Sequence, residues 1–287
     1  MVQLFIEASV NGVVLGLIYA LVALGLSFIW GVMDLVNLAH TEFLMLAMYA
    51  TYWLWALGKI EPALAVPIVV PVFFGLGWLT YQLLIRNVLR FHMVAQIFAT
   101  FGLLFLLRYG AFTAFGPNVR GVWATDSGSV WLLGTYISTS KVVAAGVSLA
   151  AFGALALFLR RTKPGKALQA VAQSREVALA LGIPVERMFA LAWGLGIASV
   201  ALAGAFLSPF YQVSPMLGDA FMLVAFASVV LGGFGRIDGA LVGGVCIGVL
   251  ENVLGTLISP TFKILFVFAV FVLMLVFRPE GLLGESR

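Results

Sequence analysis

Charged residues make up only 10% of this 287-residue chain, histidine occurs twice and cysteine once. A soluble domain carries roughly a quarter of its residues as charges, so a chain this poor in them is not built to sit in water. The one cysteine, Cys246, excludes an intramolecular disulfide and any Cys-based metal site. His40 and Glu42 sit two positions apart, on different sides of a helix, and the second histidine is the distant His92; no metal site is expected. Phosphate-binding geometry is missing as well. Gly165-Lys166 is followed by Ala167, and Arg160 stands where the loop would need its first glycine. No HExxH, no Gly-x-Ser-x-Gly and no paired intramembrane aspartates occur. The chain is expected to be no enzyme and to bind no cofactor of its own.

What is present is apolar surface: 63% hydrophobic residues and a mean hydropathy of +1.12. At about 20 residues per membrane crossing, the apolar runs fall at 8–30, 35–57, 62–85, 94–115, 141–159, 187–208, 219–232, 239–258 and 262–277. The expectation is eight or nine spans in one domain, with 219–232 short and ended by the turn Gly232-Gly233-Phe234-Gly235. The formal charge of +4 reflects sixteen Lys and Arg spread over loops; it orients a membrane protein and implies no nucleic-acid partner. Eleven of the sixteen fall on one side: Arg86 and Arg90, six between Arg160 and Arg187, Arg236, Arg278 and Arg287. That side is expected to be cytoplasmic, with the C-terminus on it.

Two hydrophilic stretches are long enough to form structure. One, about 116–140, is turn-rich and aromatic. The other, 160–187, places Leu168, Val171, Ala172, Leu179 and Gly182 at roughly helical spacing, which predicts a short amphipathic helix pair or a bent helix. It is alanine-rich and lacks Trp or Phe anchors, so a protein partner fits it better than a membrane surface. Glycines four apart, Gly12 with Gly16, Gly239 with Gly243 and Gly244 with Gly248, fit close helix packing.

Asp34, Asn37, His40 and Glu42 lie between two apolar runs, where charge costs about 2.5–3.5 kcal/mol even on the lenient insertion scale. Two readings are open: a broken helix lining a substrate pathway, with amide and imidazole facing water, or a capped loop at the interface. A similar Gly/Asp break recurs at 233–240, and paired interruptions point to a transporter's substrate site. The candidate pathway residues are therefore Asn37, His40, Glu42, Gly233 and Gly235. Arg108 and Glu251, deep within apolar runs, either pair across helices or snorkel to an interface.

Four segments, GLIYALVALGLSFIWGVMDLVNLAHTEF (15–43), TKPGKALQAVAQSREVALALGI (162–183), VVLGGFGRIDGALVGG (229–244) and RPEGLLG (278–284), together resemble permease subunits of bacterial ATP-driven importers of branched-chain amino acids, the LivH family. The likeness covers nearly the whole chain. It departs at Thr41, where the family often has glycine, and at Gln169, where it often has a basic residue. The resemblance implies an all-α polytopic inner-membrane permease of the ABC importer type with possible broken helices. It also implies a second permease subunit, two ATPase subunits that use the ATP, and an extracytoplasmic solute-binding protein. Within it the stretch 160–187 would couple to the ATPase through Thr162, Gly165, Ala170, Ala178 and Gly182, with Gly165 and Gly182 making its bounding turns. The implied substrate is a branched-chain or other hydrophobic amino acid. Urea or a short amide is the neighbouring alternative, and a self-sufficient channel or secondary carrier the competing class.

Overall fold

A computed structural model describes residues 1–122, 128–132, 134–278 and 280–283. Each of the nine apolar runs is a helix whose ends lie within about six residues of those read from the sequence. They are α1 (Val2–Met33), α2 (His40–Gly58), α3 (Pro62–Val88, with a π-turn at Tyr81–Ile85), α4 (Met93–Phe115), α5 (Thr139–Arg161), α8 (Val185–Leu207), α9 (Leu217–Gly232), α10 (Ile237–Leu257) and α11 (Lys263–Phe277). Between α5 and α8 lie two short helices, α6 (Lys163–Gln173) and α7 (Arg175–Ala180).

Helix α1 is apolar on every side, which suits a helix in the middle of a bundle. Ile18, Ala20, Leu21, Ala23, Leu24 and Ile29 are all buried. Its long contact is with α10, and the glycines at fourfold spacing make it. A Cβ placed on Gly12 would stand 2.7 Å from the Val249 Cα, and one on Gly16 would stand 2.7 Å from the Val245 Cα. From the other helix, Gly244 meets Ala20 and Gly248 meets Gly16. Gly239 and Gly243 in turn press on Gly232 and Ser228 of α9. Because lipid gives two apolar helices no reason to leave it, contact of this closeness is what holds them together. Polar contacts add to it: the buried Trp193 of α8 donates its indole N–H to Thr80 of α3 at 3.1 Å.

The count of eight or nine full spans is not confirmed. Among the described residues six helices are long and apolar enough to cross: α1, α3, α4, α5, α8 and α10. The shorter α9 and α11, with 16 and 15 residues, reach about 24 and 22 Å at 1.5 Å per residue, less than the roughly 30 Å hydrocarbon layer. Helix α2 is not among the six either, and its first half is enclosed by the other helices. The fold also departs from all-α. In the stretch 116–140, residues Ser129–Leu132 (β1) and Thr135–Ser138 (β2) pair antiparallel with Val130 opposite Ile137; residues 123–127 of that stretch lie outside the described ones.

The two ends of the bundle differ. At one, Gly235 lies against Gly31 of α1, Gly281 lies against Gly233, and the Leu282 N–H donates to the Leu231 carbonyl at 2.7 Å. Helices α6 and α7 belong to this end, Leu168 and Gln169 sharing a cavity of about 210 Å³ with Phe28, Gly31 and Gly235. At the other, Arg120 and Val213 exchange backbone hydrogen bonds of 2.9 and 2.7 Å.

The glycine seam predicts a sharp asymmetry between glycines. Gly16→Val forces a branched side chain onto the α10 backbone and is expected to cost about 1–3 kcal/mol, read as a lower unfolding temperature of the purified protein. Gly146→Ala, inside α5 where a Cβ meets nothing within 4 Å, is expected to leave that temperature unchanged or raise it slightly.

Candidate functional site

Helix α1 ends at Met33 and Asp34 takes a left-handed conformation (φ 52°), its N–H donating to the Trp30 carbonyl at 2.8 Å. The chain then leaves the helical path for residues 34–39. His40, which starts α2, hydrogen-bonds through Nε2 to the Val22 carbonyl at 3.0 Å. Val22 lies eleven residues back from Met33, about 16 Å along α1, so the segment climbs back beside the helix it has just left. The next helix begins deep inside the bundle. Non-helical backbone at that depth is tolerated only where protein satisfies it, and here it is satisfied: Thr100 of α4 donates to the Val36 carbonyl at 3.0 Å, and Asn37 accepts the Ala39 N–H at 3.1 Å. Gly25 opens the niche for the imidazole; a Cβ there would come within 2.8 Å of His40 Cε1, and Gly196 lies directly against Gly25.

Two positions further on, Glu42 is wholly buried and faces Arg108 of α4. Arg108 donates to Glu42 Oε1 through Nη2 (2.5 Å) and Nε (3.2 Å), and to both carboxylate oxygens of Asp219 in the first turn of α9, through Nη1 (3.0 Å) and Nη2 (2.5 Å). One guanidinium thereby ties α2, α4 and α9. Gly218 is required beside it, because a Cβ there would run into the Glu42 carboxylate. The three charges are unequal in surroundings: the Glu42 side chain is 0% exposed, that of Arg108 10% and that of Asp219 63%. They sum to −1, and Glu42 Oε2 has no hydrogen-bond partner.

Of the residues read from the sequence as a pathway, Asn37, His40 and Glu42 are brought together on this broken segment. Gly233 and Gly235 are not among them; with φ of 102° and 74° they form the turn against Gly31 and Gly281. The broken helix is present, but Asn37 and His40 do not face water within this chain. Both are 0% exposed, and Asn37 Nδ2 and His40 Nδ1 are left without partners. Arg108 pairs across helices, though not with Glu251, which instead lies 4.0 Å from Lys263. Asp219 was missed. The signal available was that an arginine amid apolar sequence needs a carboxylate, and Asp219 opens an apolar run just as Glu42 does. Thr41 donates its hydroxyl to the Met222 sulfur at 3.6 Å.

The stretch 160–187 is a helix pair. Thr162 caps α6 by accepting the Gly165 N–H at 3.0 Å, and Ser174 caps α7 by accepting the Val177 N–H at 3.3 Å. Leu168 and Val171 are buried as expected, but Ala172 is exposed on α6, and Leu179 and Gly182 are exposed because the break at Ser174 turns α7 off the face of α6. Gly182 (φ 76°) makes a turn; Gly165 does not, being inside the first turn of α6 and pressed on Phe158 and Leu159. Ala178 is 1% exposed and Ala170 half-buried. What the pair offers outward is Val177, Leu179 and Leu181, 57%, 55% and 72% exposed.

Residues 8–275 match the family described as the branched-chain amino acid transport system permease component. The chain belongs to that family. It is similar over 99% of its length to the high-affinity branched-chain amino acid permease LivH of Salmonella typhimurium (31% identity, 96% of the relative covered) and to BraD of Pseudomonas aeruginosa (26%, 97% covered). A 133-residue stretch is 36% identical to the ribose import permease RbsC of Bacillus subtilis, covering 44% of this chain and 41% of that one. In fold, 98% of the chain superposes on 97% of a chain of PsaBC from Streptococcus pneumoniae, solved with a Fab, with a TM-score of 0.52 and 14% identity. This family member is a multi-pass membrane protein and a transport component.

The ion triad generates an ordered set of stabilities. Arg108→Met strands a buried carboxylate and is expected to cost about 3–5 kcal/mol; adding Glu42→Gln recovers part of that. Asp219→Asn, at the exposed arm, costs about 1 kcal/mol or less. Thermal unfolding of the purified variants measures all three.

Proposed function

We propose that the chain is one permease subunit of an ATP-driven importer that carries branched-chain or other hydrophobic amino acids into the cytoplasm of a bacterial cell. The observation that carries the coupling half of this reading is the α6–α7 pair. Its inner face is fixed to the bundle through Leu168, Val171 and Ala178, and its outer face presents Val177, Leu179 and Leu181. A protein leaves such a patch bare to water only where something covers it. The cover is an ATPase subunit, which binds and hydrolyses the ATP. The end of the bundle carrying α6 and α7 is cytoplasmic, in keeping with the basic residues gathered there, Arg160, Arg161, Lys163, Lys166 and Arg175. The same orientation puts residues 281–283 inside and the β-hairpin outside, where an extracytoplasmic binding protein delivers its ligand.

Names of the relatives support the substrate class, and the near-complete coverage supports a single permease domain over the whole chain, with 160–187 as its coupling segment. A second permease subunit completes the pathway. Switching such a pathway from about 1:99 to 99:1 takes about 5.5 kcal/mol of differential stabilisation. The rigid seating of α6 on Phe158 and Leu159 suits a part that transmits force of that size. The broken segment from Asp34 to Glu42 is the element of the pathway that moves, since backbone held by side-chain bonds changes conformation more readily than a helix does.

Val177→Asp combined with Leu179→Asp puts two charges on the exposed patch without touching the buried face. Capture of the ATPase on co-expression is expected to weaken about thirty-fold or more, and leucine uptake to fall with it, at unchanged unfolding temperature. Undiminished capture, or uptake with no ATPase present, would overturn the reading in favour of a self-sufficient carrier.

A further inference from the structure

A cavity of about 590 Å³ opens between α1, α9, α10 and α11 and is separate from the niche around His40. Its polar lining is sparse and mixed in sign: the carboxylates of Asp219 and Glu251, the ammonium of Lys263 and the hydroxyls of Tyr19 and Tyr211. The rest is apolar, with Leu223, Val224 and Val267 prominent. The α10–α11 ion pair is loose. Lys263 Nζ and Glu251 Oε1 stand 4.0 Å apart, the outer limit of an ion pair, and Glu251 Oε2 is buried with no hydrogen-bond partner although its side chain is only 14% exposed. Asp219 is already bound to Arg108 on one side and exposed on the other.

Ionisable groups kept in a membrane bundle at such cost mark a ligand path. An apolar cavity of several hundred Å³ with a few convergent polar groups has the make-up of a small-molecule site. Lys263 meets Glu251 only at 4.0 Å, and Asp219 keeps an exposed face beside its bond to Arg108, so an ammonium and a carboxylate can each find a partner in this lining. A zwitterion carries both.

We propose that this cavity is a subsite for a branched-chain amino acid. The substrate's ammonium group lies against Asp219 and Glu251, its carboxylate against Lys263 Nζ, and its side chain on the wall of Leu223, Val224 and Val267. Tyr19 and Tyr211, whose hydroxyls are 3.4 Å apart, close the cavity toward α1 and offer further hydrogen bonds. The proposal rests on the permease reading and adds to it that this subunit, and not the delivering protein alone, touches the substrate. Leucine loosens the Lys263–Glu251 pair as it binds, so the site holds it weakly enough to let it go.

The test uses the importer assembled with its partner subunits, carrying Cys246→Ser and a reporter cysteine at Ala220, an exposed residue of the cavity lining. Leucine is expected to slow maleimide labelling of Ala220→Cys, while leucinamide, which lacks the carboxylate, protects about ten-fold less well. Lys263→Met is expected to erase the difference between the two ligands, and Glu251→Gln to weaken protection by both. Labelling that leucine does not slow, in a complex that imports leucine, overturns the subsite and leaves the permease reading intact. Protection that survives Lys263→Met with its preference for leucine likewise overturns it. Labelling slowed equally by a short-chain phosphatidylcholine would assign the cavity to lipid. An assembled complex that imports no branched-chain amino acid overturns the permease reading, and this proposal with it.

Discussion

Every charge and every unpaired peptide group that enters a bilayer has to be answered by the protein itself, because hydrocarbon supplies no hydrogen bonds. In this chain the answer converges on Arg108. Its guanidinium is planar and carries five donors in a fixed fork, and four of its contacts reach two carboxylates on two other helices. A lysine at the same place would offer a point charge and less geometry. The arrangement is specific before it is stabilising: replacing a buried ionic cluster by packed apolar residues is often neutral, but no apolar cluster would fix how α2, α4 and α9 sit relative to one another. The broken segment leans on the same principle. Residues 34–39 give up helical hydrogen bonds in the bundle; Thr100 and Asn37 answer backbone groups there, and the Val22 carbonyl holds the His40 imidazole that follows.

Around this polar centre the remaining contacts divide into two kinds. The α1–α10 and α9–α10 seams are backbone on backbone, built from Gly12, Gly16, Gly232, Gly239, Gly243, Gly244 and Gly248, and packed surfaces of this closeness move as units. The other kind is a few side-chain bonds with polar atoms left over, at Asn37, His40, Glu42 and Glu251. A transporter needs both. Rigid seams let a push at one end arrive at the other, and incompletely satisfied groups give the moving part somewhere else to go.

Much of this was legible in the sequence. Hydropathy located the nine apolar helices of the described residues because each is a run of apolar residues that stands out against charges, prolines and glycines. The glycines at fourfold spacing announced the α1–α10 seam. Asp34, Asn37, His40 and Glu42 announced the broken helix, since four polar side chains so close together between apolar runs would each cost free energy on an unbroken lipid-facing helix. Pairing was the illegible part. Glu251 was the partner that the sequence suggested for Arg108, and finding Glu42 and Asp219 instead requires knowing which helix neighbours which. Exposure was equally hidden. Ala178 and Leu179 are adjacent, one buried and the other open, and the sequence could not tell them apart without knowing that Ser174 breaks the helix. The count of crossings failed for a related reason: α9 and α11 are apolar enough but too short, and α2 starts inside the bundle rather than at its edge.

The clasp between Leu282 and the last turn of α9 bears on how the molecule is made. The carbonyl of Leu231 is one that a helix end leaves without an intrahelical donor, and its donor comes from a residue about fifty positions later. During synthesis the ribosome delivers α9 and α10 well before that donor exists. The tight turn at Gly233, against which Gly281 also rests, is therefore the last joint of the bundle to lock, and the insertion machinery must shelter an open hairpin until α11 and the residues behind it have emerged.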